Sequence, residues 1–329
     1  MTGRARSFFA LVLCLSLSLL FASCAPSYHR AEGYAMGTFV TVRAENESTA
    51  RELLPLVSSL ENRISHKISA SAVAKINRGE SVALEKELLD VISLCLNIEE
   101  KTNGAFSIRL LPLTSLWDFE NQTVPTPEAL ALALSEVNAS KLLLNGSTVT
   151  LSSGGVDLGA VGKGMAADVL ARALREKKEN GLVSVGGSIG AVGDKNGDGW
   201  RVGVRDPFSA SQSDTIGTLR LSDAFVSTSG SYEKTFSKDG KEYHHILNAA
   251  TGMPVENELI SVTVIAKSGA LSDVLSTALF AVGTETGISL CAEYGAEALF
   301  IKKDGTLLAT HGFAALFEAG EKEVQLLEK

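Results

Sequence analysis

The spacing of apolar residues along the chain predicts several helices. Between Ser48 and Ser65, leucine, valine and isoleucine recur every three or four positions, which indicates an amphipathic helix. Further segments follow the same period, and most of them end near a glycine or asparagine that stops a helix. These segments are Ser71–Asn77, Glu85–Thr102, a short helix that begins at Thr126-Pro127, Lys163–Lys178, Ser272–Val282 and Glu285–Glu293.

Short runs rich in β-branched residues predict strands, most of them in the second half of the chain. The predicted strands are Tyr34–Ala44, a hairpin over Lys141–Leu151, Leu182–Val185, Trp200–Val204, Thr215–Leu221, Phe225–Ser227, Tyr243–Leu247, Leu259–Ile265, Ala298–Lys302 and Thr306–Ala309. Helices come early, strands come late, and strands and helices do not alternate regularly. The sequence therefore predicts an α+β fold with largely antiparallel sheets packed with helices, in a single compact domain.

The first 24 residues have the features of an export signal. Arg4 and Arg6 precede an apolar run, Phe8–Phe21, that is short for a membrane span. Small residues then lead into Cys24, which resembles the cleavage site of bacterial lipoproteins, although phenylalanine stands where leucine is common. We therefore expect residues 1–23 to be a lipoprotein signal peptide and Cys24 to carry lipid. An ordinary signal peptide or an anchor helix is the alternative.

This interpretation divides the rest of the chain into two parts. Residues 24–32 are expected to form a short lipid-anchored tether. By length alone, residues 33–329 can form one large folded domain or two closely joined halves. We expect the protein to be anchored by lipid to the bacterial cell membrane, facing the periplasm or another extracytoplasmic space.

Charge and cysteine content narrow the possible functions. The formal net charge is −8, and it becomes −10 when residues 1–23 are removed with their two arginines. An acidic protein lacks the basic surface that non-specific nucleic-acid binding requires. Cys95 and Cys291 lie in apolar helical segments, so we expect two buried thiols, although export would permit a disulfide.

The segment Val156–Gly164 has the clearest chemical pattern, because a buried strand breaks into glycines and then opens a helix. Glycines let the backbone approach an anion, a helix N-terminus offers N–H groups, and Lys163 can meet a phosphate. The segment is not a P-loop, since Asp157 replaces the first glycine of that motif and Gly164 its serine or threonine. A glycine-lined turn with a solvated lysine explains the pattern equally well.

A second pattern places oxygen ligands on one helical face. Asp273, Ser276 and Thr277 are three and four residues apart, so they share a face of the predicted helix. A carboxylate with two hydroxyls suits magnesium. The alternative is that Ser272 or Asp273 merely caps the helix. Together with Lys163, these groups suit a magnesium-bound nucleotide pyrophosphate.

Two glycine-rich turns and one histidine pair complete the candidates. Ser184–Ser188 and Ser227–Gly230 each follow a strand, which suggests that several loops meet around one ligand. His244-His245 precedes Thr251–Pro254, and histidine is the natural general base near neutral pH. The alternative is a strand-end histidine held by hydrogen bonds.

Taken in order, these segments resemble the ApbE family of flavin transferases. The resemblance begins at Met36-Gly37-Thr38, continues through residues 104–117, and covers residues 33–312. Its other blocks are Val156–Asp168, Val185–Gly187, Thr228–Tyr232, His245–Pro254 and Asp273–Gly283. The resemblance implies a T-fold-like, ApbE-like domain, which agrees with the predicted α+β class.

The resemblance also implies a reaction and its residues. FAD is the substrate and Mg²⁺ the cofactor; FMN is transferred to a threonine of a target protein, and AMP is released. The residues that correspond to the family's FAD-binding positions are Met36, Lys67, Ala105, Phe106, Ser107, Asp157, Lys163 and Ile246. The corresponding magnesium ligands are the Ala160 carbonyl, Asp273, Ser276 and Thr277. His245 is the candidate base for the threonine hydroxyl, and Asp273 is the alternative base.

Lys67 departs from the family pattern. Many relatives have a tyrosine there that stacks on the flavin, and lysine offers no aromatic face. Weaker retention of FAD and faster turnover are expected. The alternative functions are an FAD pyrophosphatase, which yields FMN and AMP because water attacks instead of threonine, and a non-catalytic flavin-binding lipoprotein.

The expected partner is another protein. The chain lacks the acceptor motif of the family's targets, which is Asp-Gly followed by Ser/Thr-Gly-Ala-Thr. We expect the targets to be extracytoplasmic domains of membrane redox proteins.

Overall fold

The computed structural model describes residues 27–327. This part of the chain contains nine helices. They are α1 (Glu47–Ile64), α2 (Ala72–Asn77), α3 (Lys86–Lys101), α4 (Leu111–Thr114), α5 (Pro127–Ala139), α6 (Gly162–Glu176), α7 (Gly269–Val282), α8 (Thr284–Tyr294) and α9 (His311–Leu316). None of these helices is long and apolar enough to cross a membrane.

The strands of the described residues form one large sheet and three small ones. They are β1 (His29–Ala35), β2 (Thr38–Ala44), β3 (Val82–Ala83), β4 (Leu142–Asn145), β5 (Thr148–Leu151), β6 (Gly181–Val185), β7 (Ser188–Val192), β8 (Trp200–Arg205), β9 (Thr215–Leu221), β10 (Phe225–Gly230), β11 (Thr235–Lys238), β12 (Lys241–His244), β13 (Leu259–Ala266), β14 (Glu297–Lys302), β15 (Leu307–Ala309), β16 (Phe317–Ala319) and β17 (Val324–Leu326).

The large sheet has nine strands in the order β1-β2-β6-β7-β10-β13-β14-β15-β17. Its strand pairs are antiparallel except for β15 and β17, which run parallel. The small sheets are β16-β9-β8, β3-β5-β4 and the hairpin β11-β12. The predicted α+β class with largely antiparallel sheets in one compact domain is therefore confirmed.

Side-chain alternation along the strands separates two apolar layers. In β14, Ala298 and Phe300 join the main core, whereas Leu299 and Ile301 join a second core. The main core contains the apolar faces of α1, α3, α6 and α7, and the second core contains Trp200 and its neighbours from β8 and β9. Successive strand residues point to opposite faces of a sheet. Helices therefore cover one face of the large sheet, and the small sheet β16-β9-β8 covers part of the other face.

Two of the central helices touch through glycines. A Cβ atom built on Gly164 of α6 would lie 2.1 Å from the carbonyl oxygen of Gly269 in α7, and one built on Gly269 would lie 2.2 Å from the Gly164 oxygen. Only residues without side chains allow this approach of backbone to backbone. The contact brings the first turn of α6 against the first turn of α7.

The structure corrects the predicted elements near the N-terminus. The single strand predicted over Tyr34–Ala44 is a hairpin of β1 and β2, which turns at Met36 and Gly37 with φ of 54° and 70°. Strand β1 already begins at His29, so the last residues of the segment predicted to be a tether belong to the sheet. Alanine and glycine in β1 are weak strand formers, and the sequence pattern missed them.

Other boundaries moved by a few residues. The helix predicted from Ser272 begins at Gly269, and the strand predicted over Tyr243–Leu247 ends at His244. Strands β3, β7, β11, β16 and β17 and helices α4 and α9 were not predicted. The central strand β7 contains Gly190 and Ala191, so its place in the sheet depends on its neighbours rather than on its own propensity.

The two thiols of the described residues are buried and unpaired, as expected. Both Cys95 and Cys291 are free cysteines. Burial raises the pKa of each thiol, which keeps both protonated at neutral pH. The predicted signal peptide, residues 1–23, and the predicted lipidation site Cys24 lie outside the described residues.

We predict that Gly164→Ala destabilises the fold, because its methyl group would collide with the α7 backbone. Such overpacking typically costs about 1–3 kcal/mol. Urea unfolding followed by circular dichroism measures the free energy of unfolding. Gly162→Ala is the matched control in the same helical turn, since its Cβ would meet only Ile64 Cδ1 at 3.6 Å. Equal stability of the two variants would contradict the prediction.

Candidate active site

Each of the two crossing helices holds the beginning of the other through a carboxylate. Asp168 of α6 accepts hydrogen bonds from the N–H groups of Gly269 and Ala270, at 2.7 and 2.8 Å. Asp273 of α7 accepts one from the N–H group of Gly164 at 2.8 Å. Carboxylates are favourable at helix N-termini, where N–H groups lack partners. The reciprocal pair fixes how α6 and α7 meet.

Asp273 is the buried acid of the site. The residue is only 3% exposed. One carboxylate oxygen, Oδ2, is bound by Gly164, and Lys163 Nζ lies 3.9 Å from the other, Oδ1. The ammonium is too distant for a hydrogen bond, so Oδ1 keeps lone pairs for a further ligand.

The structure also corrects the expected role of this helix start. Ser268, not Ser272 or Asp273, is the N-cap of α7, because its side chain accepts a hydrogen bond from Leu271 N at 3.2 Å. Asp273 lies one turn further along the helix. The alternative that Asp273 merely caps its own helix is therefore wrong.

The hydroxyls predicted beside Asp273 face its backbone carbonyl and strand β10. Ser276 Oγ lies 2.9 Å and Thr277 Oγ1 3.4 Å from the Asp273 carbonyl oxygen. Ser229 Oγ lies 2.9 Å from Ser276 Oγ and 3.1 Å from Thr277 Oγ1. Ser276 is fully buried, whereas Thr277 is half-buried. The two hydroxyls thus form one oxygen-rich network with Ser229.

Asp157 anchors the turn that precedes α6. Its Oδ1 accepts a hydrogen bond from Gly159 N at 2.9 Å and lies 3.5 Å from His66 Nδ1, and Thr114 Oγ1 lies 3.2 Å from Oδ2. Burial raises the pKa of Asp157, but the contacts with His66, Gly159 and Thr114 outweigh burial and hold its pKa below the ordinary value. The carboxylate therefore stays ionised at neutral pH and fixes the turn.

The start of α6 offers fewer free N–H groups than the sequence suggested. The N–H groups of residues 161–162 both donate to the Leu158 carbonyl, at 3.1 and 2.8 Å, and that of Gly164 donates to Asp273. Three of the first four N–H groups therefore donate within the protein. The expectation of an open amide cradle is wrong for these three, so the Lys163 side chain is the main candidate for binding an anion at this turn.

These oxygen atoms suit a hard divalent cation. Residues 27–327 contain no cluster of three or more histidines, cysteines or acids placed to hold a metal. Magnesium often takes only one or two carboxylates and completes its octahedron with water and phosphate oxygens. Asp273 Oδ1 has no strong partner, and Ala160 ends the turn that Asp157 holds, four residues before Gly164. Asp273 Oδ1 and the neighbouring hydroxyls of Ser276 and Thr277 are oxygen donors of the kind that magnesium binds, and the Ala160 carbonyl is a donor of the same type.

His245 is a neutral base. Burial, together with the positive charges of Lys234 and Lys163, lowers its pKa to about 4. Its Nδ1 lies 3.2 Å from the Glu233 carbonyl oxygen. A carbonyl can only accept, so Nδ1 carries the proton in this contact and Nε2 has the free lone pair. The neighbouring His244 has a structural role, because its ring nitrogens contact the backbone of Val255 and Ile246.

The remaining candidate residues occupy different environments. Met36 lies at the hairpin turn with its N–H donating to Glu61 Oε2 at 2.9 Å, and Lys67 is exposed in the turn after α1. Phe106, Ser107 and Ile246 are buried, and Ala105 is half-buried. The side chains of Phe106 and Ile246 belong to the main core. These two therefore shape the wall behind the site.

Some residues at the site were missed by the sequence pattern. His66 and Thr114 hold Asp157, Ser229 joins the hydroxyl network, and Asp168 holds α7. His66 is adjacent to the candidate residue Lys67, and Ser229 lies in the glycine-rich turn Ser227–Gly230, which the sequence analysis named without choosing one residue. Their partners are 43 to 101 residues away in the chain, and such contacts leave no periodic signal.

A separate cavity of about 230 Å³ lies between the end of α1 and the start of α3. Its apolar lining includes Leu60, Ile64, Leu84, Leu88 and Met165. None of the candidate substrate or metal residues lines it. The groups that can do chemistry thus lie outside this cavity.

Comparison with known proteins identifies the family. A sequence model of the ApbE family matches residues 36–300. An FAD:protein FMN transferase of Treponema pallidum (strain Nichols) is 33% identical over 317 residues, which cover 87% of this chain and 87% of that protein. An FAD:protein FMN transferase of Escherichia coli (strain K12) is 30% identical over 334 residues, which cover 92% and 95%.

Solved structures show the same fold. The ApbE protein of Thermotoga maritima superimposes with a TM-score of 0.79 at 29% identity, and covers 90% of this chain and 100% of its own. The flavin transferase ApbE of Vibrio cholerae superimposes with a TM-score of 0.77 at 26% identity, and covers 88% and 99%. The chain therefore belongs to the ApbE family and is a flavin transferase.

Proposed function

We propose that this chain transfers FMN from FAD to a threonine of another protein, with Mg²⁺ as cofactor and AMP as the second product. The observation that supports this most is the pairing of a buried acid, Asp273, with Lys163 at the start of α6, 3.9 Å apart. A phosphoanhydride needs both a cation and a carboxylate-held metal to offset its charge. The family relationship supplies the flavin as the group transferred.

In this reaction the threonine oxygen forms a bond to the phosphorus of the FMN half. The bond that breaks joins this phosphorus to the bridging oxygen, which leaves with AMP. A bound Mg²⁺ would neutralise the pyrophosphate and polarise its phosphorus. Lys163 places a positive charge beside the phosphate oxygens, and the hydrogen bond from Gly164 holds the Asp273 carboxylate toward the same place.

His245 is the candidate acceptor of the threonine proton. Its pKa of about 4 keeps the ring neutral, and the Glu233 carbonyl selects the form with a free Nε2 lone pair. A neutral imidazole can take a proton at pH 7, which a protonated one cannot. Asp273 is the alternative base, although a carboxylate that binds metal is a weaker one.

A second enzyme function differs only in the attacking oxygen. Lys67 is exposed and offers no aromatic surface to a flavin, which favours looser binding and entry of water. Attack by water would yield FMN and AMP, so the chain would be an FAD pyrophosphatase. A flavin-binding lipoprotein without chemistry is the remaining alternative.

The proposed location matches the proposed partners. Residues 1–23 would be removed as a signal peptide, and lipid on Cys24 would hold the enzyme at the outer face of the cell membrane or in the periplasm. Extracytoplasmic domains of membrane redox proteins would then lie within its reach. Tethering two proteins to one surface raises the concentration of each near the other.

The first prediction concerns the products. We expect the full-length chain, purified in detergent with FAD and Mg²⁺, to release AMP only when an acceptor domain carrying Asp-Gly and Ser/Thr-Gly-Ala-Thr is present. Chromatography measures AMP, and mass spectrometry locates FMN on the threonine. Asp273→Asn keeps the shape but removes the charge, so it should lower the rate by about 100-fold or more. Ser272→Ala, a buried hydroxyl in the same helix, should keep most of the activity.

The outcomes separate the three functions. Equal AMP with and without the acceptor would show the pyrophosphatase. FAD binding without AMP in either case would leave only a flavin carrier. Full activity of Asp273→Asn, or activity unaffected by EDTA, would contradict the assigned metal site.

The second prediction concerns pH. Because the pKa of His245 is about 4, its ring stays neutral from pH 8 down to about pH 5, and kcat/KM should not fall near the ordinary value of 6.5. The same shift means that the folded state binds fewer protons than the unfolded state, so His245 costs stability as pH falls from 6.5 to 4. Steady-state rates and urea unfolding across this range measure both effects. An inflection near 6.5 that His245→Gln abolishes would contradict the prediction.

The third prediction concerns the anchor. Cys24→Ser should remove the thiol that carries the lipid and also the cleavage before residue 24, so the protein should keep residues 1–23 and have the mass of the unprocessed chain. The intact mass of the protein measures this. Cys95→Ser is the matched control and should be lipidated and cleaved like the unchanged chain. Cleavage of Cys24→Ser at the same place would contradict the lipoprotein interpretation and indicate an ordinary signal peptide, and an unchanged chain that keeps residues 1–23 would indicate an anchor helix.

A further inference from the structure

The hairpin of β1 and β2 has an exposed aromatic pair. Tyr34 is 69% exposed and Phe39 is 75% exposed. The two residues are directly opposite in the register, and their ring centroids are 5.7 Å apart in an edge-to-face arrangement. Exposed aromatic side chains that lie together are typical of protein-binding surfaces. We call Tyr34 and Phe39 the aromatic pair.

The aromatic pair adjoins the active site. The Phe39 carbonyl accepts a hydrogen bond from Gly186 N at 3.2 Å. A Cβ atom at Gly186 would lie 3.0 Å from Lys163 Cδ, so this glycine lets the lysine stem pass close to the hairpin. Lys163 in turn lies next to Asp273. Phe39 is thus three contacts from the buried acid, although its ring points to the opposite face of the sheet from α6.

Strand β1 also has a free edge. Within residues 27–327 it is the outermost strand of the large sheet and pairs with β2 only. Met36 and Gly37 both have positive φ, as in a two-residue type I′ turn, so the flanking pair Ala35 and Thr38 exchanges hydrogen bonds. Hydrogen bonding alternates along an antiparallel pair. The backbone N–H and C=O groups of Arg30, Glu32 and Tyr34 therefore point away from β2.

We propose that the acceptor polypeptide binds in an extended conformation along the free edge of β1 and covers the aromatic pair. This inference rests on the proposed function, because a transferase needs a surface that brings a threonine to Lys163 and Asp273. A strand edge supplies backbone hydrogen bonds to any sequence, and the aromatic pair supplies apolar contact. An acceptor bound this way passes the hairpin turn and enters the site from its rim.

Two observations favour a polypeptide over a membrane as the occupant. Backbone N–H and C=O groups in a row match another strand, and a lipid surface does not pair with them. In addition, Cys24 precedes β1, whereas the aromatic pair is at the opposite end of that strand from His29. At about 3.3 Å per residue, the pair lies roughly 16 Å along β1 from His29, the end of the strand that follows Cys24 in the sequence.

The first experiment removes the aromatic pair. In the full-length chain, Tyr34→Ser with Phe39→Ser should raise KM for an acceptor domain carrying Asp-Gly and Ser/Thr-Gly-Ala-Thr by about tenfold or more, the effect of losing interface anchors. The dissociation constant for FAD and kcat at saturating acceptor should stay unchanged. Phe208→Ser is the matched control, since this phenylalanine is 46% exposed between β8 and β9 and should leave KM unchanged.

The second experiment blocks the strand edge. Glu32→Pro removes an N–H group that does not pair with β2, so the hairpin should fold while strand addition is blocked. KM for the acceptor should rise, and Glu32→Ala, which keeps the N–H group, should have the KM of the unchanged chain. Circular dichroism and the dissociation constant for FAD check that the variants are folded.

The possible results separate this inference from the proposed function. If the unchanged chain does not flavinylate the acceptor, the proposed function fails and the inference fails with it. If it does, an unchanged KM in the aromatic and proline variants overturns the inference alone. Weaker FAD binding by the aromatic variant would overturn it by assigning the pair to the flavin site. If the aromatic variant keeps its KM but no longer self-associates, the pair binds a second copy of the chain. If it keeps its KM but no longer binds phosphatidylglycerol vesicles, the pair binds the membrane.

Discussion

The reciprocal hold between α6 and α7 is the constraint on which the rest of the site depends. Gly164 and Gly269 let the two backbones touch, and each helix then places an aspartate at the beginning of the other. Asp168 needs two N–H groups of α7, and Asp273 needs one of α6. Because the same carboxylate that joins the helices also offers an oxygen to a ligand, packing and chemistry cannot vary independently here.

The charges of the site are few but well placed. The chain as a whole is acidic, so an anionic substrate must be attracted by local groups. Lys163 supplies one positive charge beside Asp273, and His245 supplies none, since burial keeps it neutral. Such a site has too little positive charge for a pyrophosphate without a cation. This deficit is the electrostatic reason for the proposed magnesium.

The β1–β2 hairpin connects the outer surface with this chemistry. Its turn holds Met36 in a left-handed conformation that is costly for a residue with a side chain, and Glu61 accepts the hydrogen bond of its N–H group. The next residues, Thr38 and Phe39, contact the Gly186 turn and through it Lys163. A binding event on the hairpin therefore acts on a surface that already contacts the active site.

The sequence by itself determined the local elements and the chemical types. Hydrophobic spacing predicted α1, α3 and α6 nearly to the residue, because an amphipathic face repeats with the period of its own helix. The same holds for the one-face arrangement of Asp273, Ser276 and Thr277. Buried thiols at Cys95 and Cys291 also followed from local apolar context. Each of these properties depends on residues within a few positions of one another.

Only the tertiary structure decided which groups meet. Asp168 and Asp273 are each about 100 residues from the helix starts that they hold, and His66 is equally remote from Asp157, so no local pattern contained these pairs. The neutral state of His245 results from burial and from the positive charges of Lys163 and Lys234, which the fold brings close to its ring. Most of strand β1 was not predicted because alanine and glycine have low strand propensity, and pairing with β2 holds these residues in the sheet. Packing between segments that are distant in the sequence decides which side chains lose contact with water and which groups they hydrogen-bond. These two effects fix the charge and the position of each side chain in the site.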